Sequence, residues 1–454
     1  MRGFVEREVL FKMTKGMVCN VLFICLIMLV FEFCSEWDGG MEEEEDYEVF
    51  VEAEDIFCTE VVLRVGLPDS GVAQDFNLVR DDSVVGVYCS SGNDTVIIDG
   101  GLIPDRDYEY RVDLVDGGRV RVSSESVVVH TLDTTSHEIQ WYIDTLGIGG
   151  GYVNDVWIVN ENDIWVVGNI VVPDPDSSFN GTGKKEYNAA HWNGEEWELL
   201  GIYSNTLDLY SIWYFNENDI WVTSHCFPYH WNGAKWERYH LNDMGIDACV
   251  GDGIWASSPD DIYFVGLEGS IVHYDGKDFE KLESGTDIHL RGIWGLDKEH
   301  IWIVGTSRDH SRSIVLQKEG NGWKSIYYTQ PHDGKPGGNY FDVWTDRATR
   351  LYFNGLTGRG LMDLATGKVE KIDEPGQWAG LSIMGTKCND IFAVGQGSEV
   401  LHFNGKSWHL YRQFQELYST YVEWRCVYVT KNVVVVGGIY PTLQWLPIVL
   451  RGYR

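Results

Sequence analysis

The sequence predicts an all-β chain, a small sandwich followed by a closed ring of seven four-stranded blades, and three observations predict it. The first is a recurring strand. Asn162-Asp163-Ile164-Trp165-Val166-Val167-Gly168 returns at 218–224, 260–266 and 299–305, and more weakly at 349–355, 389–395 and 431–437. The second is a hydrophobic-aromatic pair before each copy: Val156-Trp157, Ile212-Trp213, Ile254-Trp255, Ile293-Trp294 and Val343-Trp344, with Ile383-Met384 and Val427-Tyr428 as looser forms. The third is an Asn-Gly or Asp-Gly turn between aromatic strands, as in His191-Trp192-Asn193-Gly194-Glu195-Glu196-Trp197. A fixed internal spacing repeated at a variable overall period marks a repeat array. With 19 Trp, 24 Tyr and 50 Gly, and no long helical periodicity, the chain points to short strands joined by many tight turns.

Taken in order, residues 1–34 read as a targeting segment. Arg2, Arg7, Lys12 and Lys15 precede an apolar run over 17–31 that is short for a membrane span. Cys34 is the candidate for lipidation, although Phe33 stands where lipoprotein signals use a small residue. A cleaved signal, a lipid anchor and a retained signal anchor stay open. The acidic stretch at 35–46 reads as a tether. The expected location is secreted or cell-envelope, with membrane attachment through this segment.

Residues 47–133 alternate apolar and polar with turn punctuation, as a sandwich requires. Leu102-Ile103-Pro104-Asp105-Arg106-Asp107-Tyr108-Glu109-Tyr110 resembles the E–F corner of fibronectin type III domains. That resemblance implies a corner role for Tyr108, its hydroxyl bonded to upstream backbone. Cys58 and Cys89 are either bridged or two separate buried thiols.

The repeats run over 138–454. Each unit supplies four strands: A (the hydrophobic-aromatic pair), B (Asp-Ile-Trp), C (His-Trp) and D (the aromatic after the turn). Units of that kind are the blades of a β-propeller. The Asn-Gly and Asp-Gly turns are expected to be type I′. The seventh unit stops after strand C. An orphan strand, Gln140-Trp141-Tyr142-Ile143, stands before blade 1, and Trp141 precedes Trp157 by the same 16 residues that separate Trp197 from Trp213. It is therefore the missing strand D, and the N-terminal strand closes the ring and removes an open edge.

Function is less legible. A net charge of −34 repels phosphate backbones and argues against nucleic acid. The cysteines outside the targeting segment have no C-x-x-C spacing, so neither metal nor cofactor is expected. His191, His230, His273 and His402 occupy one place in different blades and cannot converge on an ion. Asp163, Asp219, Asp261 and Asp390 recur at the A–B turn, where Asp side chains bond nearby amides. Both sets read as scaffold. The long connections, 169–186, 201–209, 240–251, 306–312, 328–339, 412–421 and 438–446, are almost all B–C or D–A, which share one face of a propeller. Asn154, Tyr210, Asp252, Arg291, Phe341, Leu381 and Arg425 should rim the central mouth on that face. Asp208, Asp287, Asp309 and Asp342 could meet there as catalytic carboxylates. Cys226 and Cys249, in adjacent loops of neighbouring blades on that face, are the second disulfide candidate; Cys388 and Cys426 are expected to stay reduced. No G-x-S-x-G, phosphate loop or H-E-x-x-H occurs.

Residues 47–454 as a whole resemble exported bacterial proteins in which a fibronectin type III-like domain precedes a seven-bladed propeller of Asn-Asp-Ile-Trp-x-Val-Gly repeats. Relatives of that kind often carry a glucosyltransferase label, but no transferase motif supports one here. The resemblance and the loops together imply a non-catalytic binding protein that takes a glycan or a protein on the long-loop face. The alternative is a carbohydrate-active enzyme (hydrolase, lyase or glucosyltransferase-like) using acidic residues on that face.

Overall fold

The computed structural model describes residues 49–68, 72–174, 183–330, 335, 338–417, 421–441 and 445–454. The targeting segment, Cys34 and the acidic tether lie outside the described residues. Among the described residues no helix is long and apolar enough to cross a membrane.

The sandwich has two sheets. Phe50–Ile56, Glu60–Gly66 and Asp94–Gly100 form one, in that order. In the other, Ser83–Ser90 pairs Gln74–Arg80, which pairs Asp107–Asp116, and that long strand pairs both Arg119–Ser123 and Val127–His130. Alternation decides which side faces in: Val61, Leu63 and Val65 point into the core with Phe76, Leu78, Tyr110 and Val112. At the corner the Ile103 amide donates to the Tyr108 hydroxyl at 2.8 Å, and Asp105 takes a left-handed conformation to turn the chain. The proposed Cys58–Cys89 bridge is absent. Cys58 lies in the turn after Phe50–Ile56, its thiol donating to the Asp133 carbonyl at 3.2 Å. Cys89 sits exposed on the edge strand of the opposite sheet. Strand spacing alone could not show that the two sheets hold them apart.

Seven four-stranded antiparallel sheets follow, giving a β-propeller. The first six blades span 152–200, 211–238, 249–282, 289–329, 340–371 and 380–410. The seventh is built from Glu423–Val429, Val433–Tyr440 and Leu446–Tyr453, with Gln140–Thr145 as its outer strand. The inner strands touch one another in turn, and the seventh touches the first. Within a blade the aromatics of strands A and B lie opposite each other, as Trp157 does Trp165, Trp213 does Trp221 and Trp294 does Trp302. Cross-strand aromatic pairs of this kind stabilise antiparallel sheets by about 0.2–1 kcal/mol each.

The C–D connections differ from the expected type I′ turns. The Asn-Gly and Asp-Gly connections of blades 1, 2, 3 and 6 are four-residue loops in which only the glycine has positive φ, 96° at Gly194 and 91° at Gly405. In blade 1 the preceding Asn closes the loop: the Asn193 carboxamide oxygen accepts from the amides of Glu195 and Glu196, both at 3.0 Å. A Cβ at Gly194 would also press on Asn162 in the adjoining A–B turn, so glycine is required twice over.

Ring closure rests on more than the backbone ladder. Arg451 grips Asp144 of the outer strand with Nε at 2.6 Å and Nη2 at 3.3 Å, and Trp197 of blade 1 donates to the same carboxylate at 3.1 Å. The Arg451 guanidinium lies 3.7 Å from the ring centre of Trp192, also in blade 1. One carboxylate thus ties the closing strand to both neighbours.

Several expected loops are partly ordered. Both ends of 169–186 belong to strands, because Asp163–Pro173 pairs Lys184–Trp192 as far as Pro173 and Lys184, with Ile170 and Val171 buried. The segment 412–421 contains a short helix, Gln413–Leu417, with Phe414 buried. A single 3-10 turn, Leu241–Met244, lies in 240–251.

The sandwich docks on blades 5 and 6 at their A–B turns. Arg347 donates to Asp55 at 2.7 Å and stacks over Phe57 at 4.4 Å, Arg350 pairs with Glu60, and Phe57, Val62, Leu132 and Cys388 close into a small apolar cluster. The linker continues this seam: Asn389 donates to the Asp133 carbonyl at 2.7 Å and the Thr135 amide to the Asn404 carbonyl at 3.2 Å. This is the short-turn face. The long-loop face lies opposite.

Candidate functional site at the mouth of the central channel

The inner strands surround a channel of about 200 Å³. Its lining includes Asn154, Tyr210, Asp252, Arg291, Phe341, Leu381 and Arg425, one from each blade. They come together because each stands at the entrance of an inner strand, immediately before the small or polar residue that starts the barrel wall.

Below the rim that second residue does structural work. Asp155 accepts from the Val156 amide at 2.8 Å and, from the next blade, the Ser211 hydroxyl and Ile212 amide at 2.9 Å. Asp342 repeats the arrangement with Val343, Ser382 and Ile383, all at 2.9 Å. Both are blade-to-blade clasps. Burial in the channel wall pushes Asp155 up to about 6 and Asp342 up to about 7, against these hydrogen bonds, and the charge of Asp155 adds to the rise at Asp342. The clasps could have been found in the sequence. Asp-Val-Trp at 155–157 is followed one blade later by Ser-Ile-Trp at 211–213, and Asp-Val-Trp at 342–344 by Ser-Ile-Met at 382–384.

The four carboxylates considered for catalysis each have local hydrogen-bond partners. Asp208 accepts from the Tyr152 hydroxyl and Asn169, both at 2.7 Å; Asp287 pairs with Arg312 at 3.0 Å; Asp309 is wrapped by Ser307 and Ser311; Asp342 is a clasp. Each is satisfied by its own local donors.

The recurring Asp and His bond to each other, not to nearby amides. His191 meets Asp163, His230 meets Asp219 and His273 meets Asp261 at 2.8 Å, and His402 meets Asp390 at 3.0 Å. Each imidazole also packs on the strand-B aromatic, with centroids 4.2–4.5 Å apart. The pair joins strands B and C of one blade on the short-turn side, far from the mouth. Among the described residues no group of three potential ligands could hold a metal ion.

At the rim the two arginines differ. Arg425 donates to Glu423 at 2.9 Å and to Asn154 at 3.1 Å, and lies 4.8 Å over Tyr152. Arg291 lies 5.0 Å over Phe341 and has no hydrogen bond or ion pair within the described residues; its Nε is buried without a partner. Burial pulls its pKa down, and the field of Asp252 only partly offsets this. Asp252 itself points to His289, 2.8 Å from its Nε2 but without hydrogen-bond geometry.

Around the mouth the long-loop face carries exposed Ile148, Tyr203, Met244, Trp378, Leu417, Tyr421 and Trp445, whereas exposed large apolar side chains at the A–B turns are Val159 and Leu296. Trp378 is held outward from below. The buried Arg359 bonds Glu374 at 2.7 Å and Glu399 at 3.1 Å, and Glu399 accepts the Trp378 amide at 3.1 Å. Its ring then packs 5.0 Å from Tyr421. Cys226 and Cys249 are bonded to each other across the blade 2 and blade 3 loops of this face. Cys388 and Cys426 are free and buried.

No protein-family model matches the chain, and no curated protein matches it. Among solved structures, "YCF48 bound to D1 peptide" is similar at 13% identity over 71% of this chain and 97% of that one, with a TM-score of 0.49. The WD40 beta propeller domain of Doa1 is similar at 14% identity over 68% of this chain and 96% of that one, TM-score 0.48. U3-55K follows at 10% identity over 68% and 98%, TM-score 0.47. The propeller assignment rests on the strand pairing itself.

Proposed function

We propose that this chain is a non-catalytic binding protein that takes a protein partner on the long-loop face of its propeller, outside the cytoplasm. The observation that carries the reading is the asymmetry of the ring. One face is occupied by the sandwich and tight polar turns; the other presents exposed Trp, Tyr, Leu and Met around a mouth whose seven rim residues differ from blade to blade. Exposed aromatics on a rigid frame are the composition of interaction surfaces. The Cys226–Cys249 bond supports export, since disulfides persist in oxidising compartments. The sandwich, read as fibronectin type III-like, then serves as the spacer from the membrane or envelope.

The binding reading is preferred to the enzyme alternative because Asp208, Asp287, Asp309 and Asp342 each accept from local donors. A glycan remains the other binding partner, but a channel of about 200 Å³ is smaller than the roughly 300–1,000 Å³ of ordinary small-molecule pockets. The test is a peptide array and a glycan array probed with the full chain and with Trp378→Ser/Trp445→Ser. Peptide binding that disappears in the double variant is expected. Binding confined to glycans, or unchanged by the variant, overturns the proposal.

A further inference from the structure

Arg291 is the least satisfied charged group at the mouth. Its Nε is withdrawn from water without a partner, which costs free energy unless a hydrogen bond replaces the lost hydration, while the rest of the guanidinium is only partly buried. The ordinary solution is a neighbouring carboxylate, and one is near. Asp252, however, lies against His289 Nε2 at 2.8 Å, without hydrogen-bond geometry, and contributes to Arg291 only through its field. Arg425, the other rim cation, is already held by Glu423 and Asn154. The face of Arg291 is fixed on Phe341 at 5.0 Å, which leaves the planar edge of the guanidinium, with its fork of donors, to meet what enters the channel.

We propose that Arg291 is the receptor for a single carboxylate of a protein ligand inserted into the channel mouth, its apolar portion resting on Phe341 and Tyr210. This deepens the protein-binding reading above and rests on it. Charge selects a monoanion. Asp155, Asp252 and Asp342 all line the same channel, so a phosphate or sulfate brings excess negative charge into an already acidic wall. Size selects a side chain or chain terminus: about 200 Å³ is below the roughly 300–1,000 Å³ of pockets that take a whole small molecule. A carboxylate presents two oxygens to match two parallel N–H donors, the geometry guanidinium recognises best.

The probes are N-acetylphenylalanine, for a terminal carboxylate, and N-acetylglutamate α-amide, for a side-chain carboxylate. Their uncharged amide counterparts and inorganic phosphate are the comparisons. Binding to the full chain is followed by saturation-transfer NMR and by thermal shift. At least one acid is expected to bind, its amide at least about tenfold more weakly, since charge-assisted hydrogen bonds are worth about 1.5–3 kcal/mol and 1.4 kcal/mol is tenfold. Which acid wins identifies the source of the carboxylate. Arg291→Met should abolish the difference between acid and amide and raise the melting temperature, because it removes an unpartnered cation. Arg291→Lys should retain weakened acid binding and guards against a misfolded Met variant.

The proposal is overturned if neither acid binds, if acid and amide bind alike, or if phosphate competes as well as the acids. It is also overturned if Arg291→Met keeps full affinity, or if that variant lowers the melting temperature. Peptide capture that survives Arg291→Met but not Trp378→Ser/Trp445→Ser leaves the face assignment standing and removes only the carboxylate. Carboxylate binding without any peptide capture does the reverse.

Discussion

The two faces of the propeller use the same blades for opposite ends. On the short-turn face nearly every polar group is spoken for. Asp and His pair within blades, Asn and Asp side chains cap the turns, and Arg347 and Arg350 anchor the sandwich. On the long-loop face, charged groups such as the Arg359 cluster are buried to hold loops, while large apolar side chains stand in solvent and Arg291 lacks a partner. Repetition belongs to the first face, variation to the second. A repeated residue has to satisfy the same local geometry in several blades, as the Asp–His pair does in four, so it records folding. The departures from the repeat are where binding can be specified.

This contrast can be broken in four ways. Arg347→Ala should have the largest effect, about 3 kcal/mol, because it leaves Asp55 with the Thr349 hydroxyl but no cation in a seam where the Arg347 and Asp55 side chains are mostly buried, at 16% and 14% exposure. Its expected signature is a separate, earlier unfolding step of the sandwich and proteolysis within 131–139. One unchanged transition would show that the short-turn face does not carry the sandwich. Next, Cys226→Ala/Cys249→Ala opens a bridge between cysteines 23 residues apart, worth about 3 kcal/mol at most in the chain-entropy view. Increased amide exchange at 240–251 is expected; protection unchanged there would mean that loop is held by packing alone.

The third test is pH. Asp342 is raised from 3.8 to about 7 in the folded chain, so the folded state keeps this proton where the unfolded state has lost it. Stability from this group is therefore fully present below about pH 4 and is lost as pH rises to about 7, a term on the order of 2 kcal/mol once channel water is allowed for. His137, lowered to about 4 by burial beside His402 and His409, works with the opposite sign between its folded value and 6.5. The readout is hence the difference between the wild-type chain and Asp342→Asn in denaturant midpoint at pH 5 and pH 8. A slope identical in both would remove the channel assignment. The smallest effect is expected from Trp378→Ser/Trp445→Ser, at 42% and 54% exposure: stability within about 0.5 kcal/mol per site. A loss of several kcal/mol would make these aromatics part of the frame and erase the distinction between the faces.

Much of the frame was legible because it is written at short range. The spacing between Trp157 and Asp163 sets the A–B hairpin, and Asn193-Gly194 marks the C–D loop, although its geometry is four residues long. The orphan strand could be placed because its spacing to blade 1 copies another blade's. Contacts across forty or more residues were harder. The Asp155–Ser211 clasp depends on how far one inner strand leans on the next, and the sandwich docking on which blades happen to face Phe57. Cys226 and Cys249 could be paired because the propeller rule puts both loops side by side. No such rule linked Cys58 to Cys89, and the two sheets separate them. At the mouth, the rim positions follow from the repeat, but the isolation of Arg291 does not. It depends on Asp252 lying against His289 and not reaching Arg291, and nothing in the spacing foretells that.

The clamp between Asp144 and Arg451 joins residues 307 positions apart. During synthesis at about 5–20 residues per second, the closing strand leaves the ribosome roughly 15–60 s before its partner exists. Blades 1 to 6 can assemble in that interval by pairing with what is already present, but the outer strand with Trp141, Tyr142 and Ile143 cannot. It waits as an unpaired, aromatic edge, tethered at one end to a sandwich that has already folded. The vulnerable period in the life of this chain is therefore that wait, and the variants most prone to aggregate during production are those that slow the last strand, 446–453, rather than those that weaken the finished ring.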